Sequence, residues 1–361
     1  MIPNEQFWRG KHVLVTGHTG FKGAWLVTWL SKMGSKVCGY SLAPEGDDNL
    51  WDDLEIEDSV ESVIGDINDT DKLNELFQRF QPEIIIHLAA QSLVLQSYDT
   101  PVETFASNVL GVVSLLDVAR QHESASAIVI ATSDKCYENQ ELDQPFQETD
   151  RFGGRDPYSA SKGCAEIAAA SMRLSFYQPG NATGHPAQIA TVRAGNVIGG
   201  GDWSANRLVP DIIRGCLDDE REVIIRSPAS VRPWQHVLEP LCGYILLAER
   251  LCSQSIEYAD GWNFGPGSSS EQPVLAVAKS LLSFFDDAEL VVQGNTNAPH
   301  EAKLLRLDAS KAQNELGWQP KLGFEETVSF TADWYARWSR GEPARAITEQ
   351  QISAYCADDE G

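Results

Sequence analysis

The sequence has no C-x-x-C pair, and its seven cysteines, at 38, 136, 164, 216, 242, 252 and 356, form an odd and scattered set. That excludes a disulfide framework and a zinc site built on paired thiolates, so the cysteines read as reduced thiols. Long apolar runs are missing too. No stretch approaches the roughly 18 residues that a membrane span needs, and the first ten residues, with Asn4, Glu5, Gln6 and Arg9 among them, lack the apolar core of a signal peptide. The expected location is the cytoplasm, with no membrane partner. Basic residues are scarce: 28 Lys and Arg stand against 52 Asp and Glu, a net charge of −24, and the pI is near 4.6. Phosphate backbones are bound by basic surfaces, which excludes nucleic acid as a partner. An anionic ligand would need particular arginines set into an acidic surface. The clusters Asp52-Asp53, Asp218-Asp219-Glu220 and Asp358-Asp359-Glu360 read as solvated faces, and no metal site is expected.

What the chain does have is length and a regular pattern. With 361 residues, 42% of them hydrophobic, it can bury a large core. Apolar, β-branched runs alternate with amphipathic helical stretches, which predicts an α/β fold with a doubly wound parallel sheet of Rossmann type. Lys11–Thr16 reads as the first strand and Ala24–Leu30 as the helix after it. Between them lies Gly17-His18-Thr19-Gly20-Phe21-Lys22-Gly23, where a G-x-x-G-x-x-G spacing allows a tight turn and leaves helix N-terminal N–H groups to meet a pyrophosphate. The second strand, Ser35–Leu42, ends in Tyr40-Ser41-Leu42, with neither the acid that binds the ribose hydroxyls of NAD nor the Arg that meets the extra phosphate of NADP. NAD is favoured because no base waits for that phosphate, and NADP stays open.

Val63–Ile67 predicts a third strand, with Asp66 either reaching an adenine or capping the next turn, and a helix follows over 71–80. Glu83–Gln91 predicts a fourth strand whose small residues at the end, Ala89 and Ala90, let a cofactor lie close to Leu88 and bring Gln91 near the pocket; His87 reads as a core or turn histidine. From Pro101 to Arg120, Val102, Phe105, Val109, Val112, Val113 and Leu116 form a helical stripe. That helix and the one carrying Tyr158 are expected to pair with a second subunit, in a homodimer or a tetramer built from it.

The chemistry is expected at residues 131–166. Ala127–Ile130 suits a buried strand and presents Ser133, Asp134 and Lys135 at its carboxyl end, the edge where open α/β sheets bind ligands. Pro157 opens a helix on which Tyr158 and Lys162 lie four apart and share a face. A Tyr, with a pKa of about 10, serves as a base near neutral pH only if a cation favours its anion, and Lys162 is placed to do so. Ser133 can hold the same substrate hydroxyl. After a strand at Ile189–Val192 the alternation gives way to glycines and to Trp203, Arg207, Arg226 and Arg232, which suit a lobe that stacks a ring and pairs phosphates. Residues 1–195 are expected to form the dinucleotide-binding domain, with 231–268 returning to it in part. Residues 196–361 then form a smaller, discontinuous substrate-binding lobe.

The glycine turn, Leu88-Ala89-Ala90, Ser133 and Tyr158-x-x-x-Lys162, in that order, resemble the extended short-chain dehydrogenase/reductases that act on nucleotide sugars. Longer stretches at 17–23, 132–137, 193–203 and 231–237 resemble, within that family, the group that dehydrates CDP-glucose, and the likeness runs from about residue 7 to beyond Leu316-Gly317-Trp318. The resemblance implies a 4,6-dehydratase without net redox change: Tyr158, Lys162 and Ser133 work at C4, Asp134 is the general acid, and Lys135 is the C5 base or a stabiliser of the enolate. It implies cofactor contacts at Gly17, Thr19, Gly20, Phe21, Lys22 and Gly23, at Asp66, Ile67, Leu88, Ala89, Ala90 and Asn108, and at Tyr158 and Lys162. It implies substrate contacts at Gln91, Asn196 and Trp203, at Arg207, Leu208 and Val209, and at Arg226, Arg232 and His300, with Arg232 on the diphosphate. An epimerase or another dehydratase of the same fold is the alternative, and a noncatalytic dinucleotide sensor is the alternative of a different class. Asp134-Lys135 argues against the epimerase, and the intact Ser133, Tyr158 and Lys162 against the sensor.

Overall fold

Strands rich in Val and Ile and buried on both faces pair in parallel, because crossover helices cover each side of such a sheet. The structure, a computed structural model, describes residues 1–140, 143–178, 184–218, 221–225, 227–253, 256–285, 288–293 and 305–357. Seven strands form the main sheet: β1 (His12–Thr16), β2 (Lys36–Ser41), β3 (Val60–Ile64), β4 (Ile84–His87), β5 (Ala127–Ala131), β6 (Gln188–Arg193) and β7 (Gly261–Asn263). Their order is 3-2-1-4-5-6-7, and every pairing is parallel. The order reverses between β1 and β4, a switch point outside whose carboxyl ends a ligand crevice is expected.

Helices α1 (Phe21–Lys32), α2 (Thr70–Phe80), α3 (Pro101–Ala119) and α4 (Pro157–Phe176) connect the first strands. One face of the sheet buries Leu73 and Phe77 of α2, Leu115 and Leu116 of α3 and Ala165 and Ala169 of α4. The other buries Trp25 and Trp29 of α1 together with residues from the second half of the chain. There α5 (Leu208–Leu217) is followed by α6 (Leu238–Cys252), which lies on the sheet, and by α7 (Phe324–Trp338) and α8 (Ala344–Cys356). Residues 238–263 thus belong to the sheet layer, and α8 packs back on α1, with the Trp29 and Tyr355 rings 5.8 Å apart. The lobe proper is built on two short pairings, Val231–Pro233 with Glu271–Pro273 and Glu222–Ile225 with Glu289–Val292.

Three expectations are corrected. The fourth strand stops at His87, so Leu88–Gln91 leave the sheet and form the loop over the crevice. The stripe predicted on α3 is split, because Ala106–Leu110 winds as a π-turn whose extra residue rotates the face. Val112 and Leu116 turn inward, 2% and 0% exposed, while Val102, Phe105 and Leu110 turn outward at 76%, 37% and 58%. Against the reading that no stretch approaches a membrane span, α3 is long and apolar enough by composition to cross one. Its inner face is occupied by the sheet, however, and it carries Glu103 and Asp117.

Candidate active site

The glycine turn is shaped by its neighbours at one glycine and open at another. Gly17 has φ +76°, and a Cβ there would stand 2.7 Å from the Ala89 nitrogen, so the turn presses on the end of β4. At Gly20, the N-cap of α1, a Cβ would meet nothing closer than the Gly17 carbonyl oxygen at 3.5 Å. The protein itself does not require glycine there. The first turn of α1 holds no acid, and no side chain caps its N–H groups. An open cradle at the positive end of a 12-residue helix fits a dinucleotide's pyrophosphate. Thr19 Oγ1 bonds Ser41 Oγ at 2.8 Å and the Leu42 carbonyl at 3.0 Å, which ties the cradle to the end of β2. His18, within the motif, is buried against Trp51 and bonds Ser62, and burial pulls its pKa down to about 4. Exposed Asp66 follows β3 and accepts from the Asn68 N–H at 2.8 Å, Ile67 is buried behind it, and Asp69 is the cap of α2.

The ends of β5 and α4 meet beside this cradle. Ser133 follows the strand, and its hydroxyl donates to Asp134 Oδ1 at 2.9 Å and accepts from the Lys135 N–H at 3.2 Å. Asp156 caps α4, and Pro157 occupies its first turn, so Tyr158 and Lys162 face the Ser133 turn. Ser133 lies close enough to Tyr158 to pull the phenol's pKa down. Asp134 is 4% exposed, and its burial raises its pKa against the opposing pull of Lys135, Ser133 and Lys22. A Cβ at Gly195 would overlap Asp134 Oδ2, so the Arg193-Ala194-Gly195 stretch makes room for this carboxyl. No signal within the β5 turn itself marks that dependence.

Burial opposes the tyrosinate expected beside Lys162: it pushes the Tyr158 phenol up to about 12, while Ser133 and Arg207 pull the other way. Lys162 Nζ lies 6.0 Å from the Tyr158 ring centre and bonds the Ala131 carbonyl at 3.5 Å, and its own pKa is drawn down to about 8 by burial and by Lys22. Lys22, also near 8 through burial and Arg207, joins Lys135 as a second cation acting on Asp134.

Beneath these groups, Glu166 gathers three elements. Its carboxylate accepts from Arg193 Nε at 2.7 Å and Nη2 at 2.9 Å, from Thr132 Oγ1 at 2.5 Å and from Thr191 Oγ1 at 2.6 Å. The Arg193 guanidinium also lies over the Tyr137 and Phe152 rings at 5.1 and 5.0 Å. The last turn of β5, the helix bearing Tyr158 and Lys162, and the strand leading to Gly195 are therefore held in one register.

The other expected contacts divide. Asn108, in the π-turn, donates to Ser161 Oγ at 2.8 Å and to the Gln91 carbonyl at 3.0 Å, and it accepts from the Gln91 N–H at 2.9 Å. It thereby holds the Leu88-Ala89-Ala90 loop. The Gln91 amide is spent on Leu93 and Thr104, which corrects its expected direct contact to a loop brace. Trp203 packs on Tyr335 and Trp338, with ring centres 5.3 and 5.1 Å away, and Val209 is 2% exposed; both are walls of the core, which corrects a stacking platform. Leu208 opens α5 and is partly exposed. Asn196 takes φ +49°, and its carbonyl accepts from the Gln235 N–H. Arg232 sits on the Val231–Pro233 strand with Nη1 3.0 Å from the Val231 carbonyl. Arg207, the N-cap of α5, reaches Asp202 and Ser92, each at 3.3 Å, across the crevice. Arg226 and His300 lie outside the described residues.

Known proteins resemble the chain over most of its length. The chain is 47% identical over 353 residues to a CDP-glucose 4,6-dehydratase of Salmonella typhimurium, covering 98% of each chain. It is 25% identical over 340 residues to a dTDP-glucose 4,6-dehydratase of Xanthomonas campestris, covering 89% of this chain and 92% of the relative. Among solved structures, a UDP-glucose-4-epimerase from Stenotrophomonas maltophila with bound NAD superposes with a TM-score of 0.77 at 22% identity, over 92% of this chain and 100% of the other. The family model for GDP-mannose 4,6 dehydratase matches residues 14–331, and the chain belongs to that family.

Proposed function

We propose that the protein dehydrates CDP-D-glucose to CDP-4-dehydro-6-deoxy-D-glucose with NAD bound in the Gly17–Gly23 cradle. The observation that carries this reading is the meeting at one sheet edge of a buried acid, Asp134, with the buried Ser133 and Tyr158 hydroxyls and the Lys162 ammonium. An epimerase has no use for the acid. The 47% identity to a CDP-glucose 4,6-dehydratase supports the substrate. Held by the Gly17–Gly23 cradle, NAD would supply the redox chemistry, hydride transfer from C4 to C6 of the sugar.

The chain's own residues handle the protons. Ser133 holds the C4 hydroxyl while Tyr158 takes its proton, with Ser133, Arg207 and Lys162 supplying the positive field that a phenolate needs. The C4 ketone acidifies C5. Lys135, partly exposed at the β5 turn, removes the C5 proton and gives it back to C5 when the hydride returns at C6. Asp134, whose burial favours the protonated form, gives its proton to the leaving C6 hydroxyl, which departs as water. Arg207 and Arg232 hold the diphosphate.

Two finer features complete the reading. The outward residues Val102, Phe105 and Leu110 of α3 and Ile167 and Leu174 of α4, the last two 59% and 58% exposed, pair two copies into a homodimer. Seven unpaired thiols suit the cytoplasm. The test is incubation with CDP-glucose, then with dTDP-, UDP- and GDP-glucose, with and without NAD, following 4-keto absorbance in alkali and loss of water by mass. Conversion of CDP-glucose is expected, and dehydration of none of them would overturn the reading. Light scattering at micromolar concentration should give a dimer, and a monomer would overturn the pairing.

A further inference from the structure

The crevice carries an acid that the proposed chemistry does not use. Asp202 is 3% exposed, and its carboxylate accepts from the Ser204 N–H at 3.1 Å and from Arg207 Nη1 at 3.3 Å. The loop that carries it is clamped from several elements. Trp25 of α1 donates its ring N–H to the Gly200 carbonyl at 2.9 Å, and Tyr335 of α7 donates its hydroxyl to the Asp202 carbonyl at 2.7 Å. A Cβ at Gly200 would overlap the Trp334 ring, and Gly201, at φ +75°, would press on Leu50. Arg214 bonds the Trp203 carbonyl. The carboxylate is therefore fixed by the cradle helix α1 and by α7 together, whereas its partner is not: the Arg207 side chain is 33% exposed. The second Arg207 nitrogen, Nη2, reaches Ser92 in the loop after β4, and its charge acts on Tyr158 and Lys22. A half-exposed guanidinium thus bridges the crevice from a rigid anion on one side to an exposed hydroxyl on the other.

We propose that Asp202 is a positioning residue for substrate binding: it aims Arg207 across the crevice so that the remaining guanidinium N–H groups meet the nucleotide diphosphate. This rests on the nucleotide-sugar reading. An arginine left to swing would lose the preorganised fork that makes phosphate contacts strong. Asn at 202 keeps an oxygen for the Ser204 N–H and leaves the Tyr335 bond to the backbone untouched, so the fold has no reason to suffer.

The experiment uses the NAD-saturated protein and its Asp202→Asn, Arg207→Ala and double variants, with initial rates on CDP-glucose and calorimetric Kd for CDP. With Asp202→Asn, KM and the CDP Kd should rise together by about ten-fold, the scale of one charge-assisted contact, while kcat falls much less. The double variant should bind CDP no more weakly than Arg207→Ala, because both changes break one contact. An unchanged or tighter CDP Kd in Asp202→Asn, additive losses in the double variant, or a loss confined to kcat would each overturn the proposal. Should Asp202→Asn fail to fold, Asp202→Glu keeps the charge but displaces it by a methylene, and the same rise in CDP Kd is required of it. If the wild type binds CDP without turning over CDP-glucose, the reaction reading fails and the Kd comparison still judges Asp202. If it binds no nucleoside diphosphate, both fail.

Discussion

Two arginine–carboxylate pairs flank the site, and they differ in nearly every respect that sets their energy. Arg193 and Glu166 are 3% and 2% exposed and joined by two bonds, and both spare carboxylate lone pairs are met by threonines. Burial works against both charges, and the pair survives because the geometry is complete. Arg207 and Asp202 are joined by one longer bond, with the arginine a third exposed. The first pair has no freedom to meet a ligand and serves as a floor. The second keeps donors in reserve at the mouth of the crevice. The same two residue types thus act as structure where water is excluded and, in the proposed reading, as a recognition device where it is not.

The largest effect expected from breaking that contrast is at the floor. Arg193→Met leaves Glu166 buried without its cation and should cost about 3–5 kcal/mol in urea unfolding, and the Glu166→Leu/Arg193→Met double variant should regain most of it. Glu239 extends the contrast to a carboxylate buried without a paired guanidinium: Oε1 accepts from the Lys321 and Leu322 N–H groups at 2.8 and 2.6 Å and Oε2 from the Tyr355 hydroxyl at 2.9 Å. Burial raises its pKa from 4.5 to about 7. Because the folded value lies above the unfolded one, the native state holds the extra proton between those pH values, and stability falls as pH rises through that window. Relative to Glu239→Gln, the wild type should lose about 3 kcal/mol between pH 4.5 and 8, read from denaturation curves at each pH.

Gly195→Ala probes how rigid the floor is. Its methyl group would displace Asp134, and kcat should fall by about 100-fold, as for a catalytic group moved by roughly an ångström. A variant with normal kcat would show that the acid can shift freely. The smallest effect belongs to the mouth: Arg207→Ala should change unfolding stability by less than about 1 kcal/mol, because a partly exposed pair stabilises little. A loss as large as that of Arg193→Met would erase the distinction between the two pairs.

Much of the fold was legible because the signals are local. Val and Ile runs bounded by turns placed β1, β2 and β5, and the G-x-x-G-x-x-G spacing placed the cradle between β1 and α1. Pro157 and the four-residue spacing of Tyr158 and Lys162 placed both on one helix. Less of the site could be read. The α3 stripe misled because a π-turn is invisible to a constant period. Gln91 and Trp203 looked like ligand contacts, since an amide or a ring near a glycine-rich loop does not announce that Thr104 or Tyr335 already occupies it.

By itself the sequence determined the alternation of strands and helices, the glycine cradle before α1 and the candidates for the reacting side chains, all of which depend on neighbours a few residues apart. The tertiary structure alone decided which of those side chains are charged, which are braced and which remain open to a ligand. Tyr158 is desolvated by burial, Gly195 makes room for Asp134 from 61 positions away, and Arg207 meets Ser92 across 115. Desolvation and pairing depend on what the folded chain brings together, and no local period encodes that.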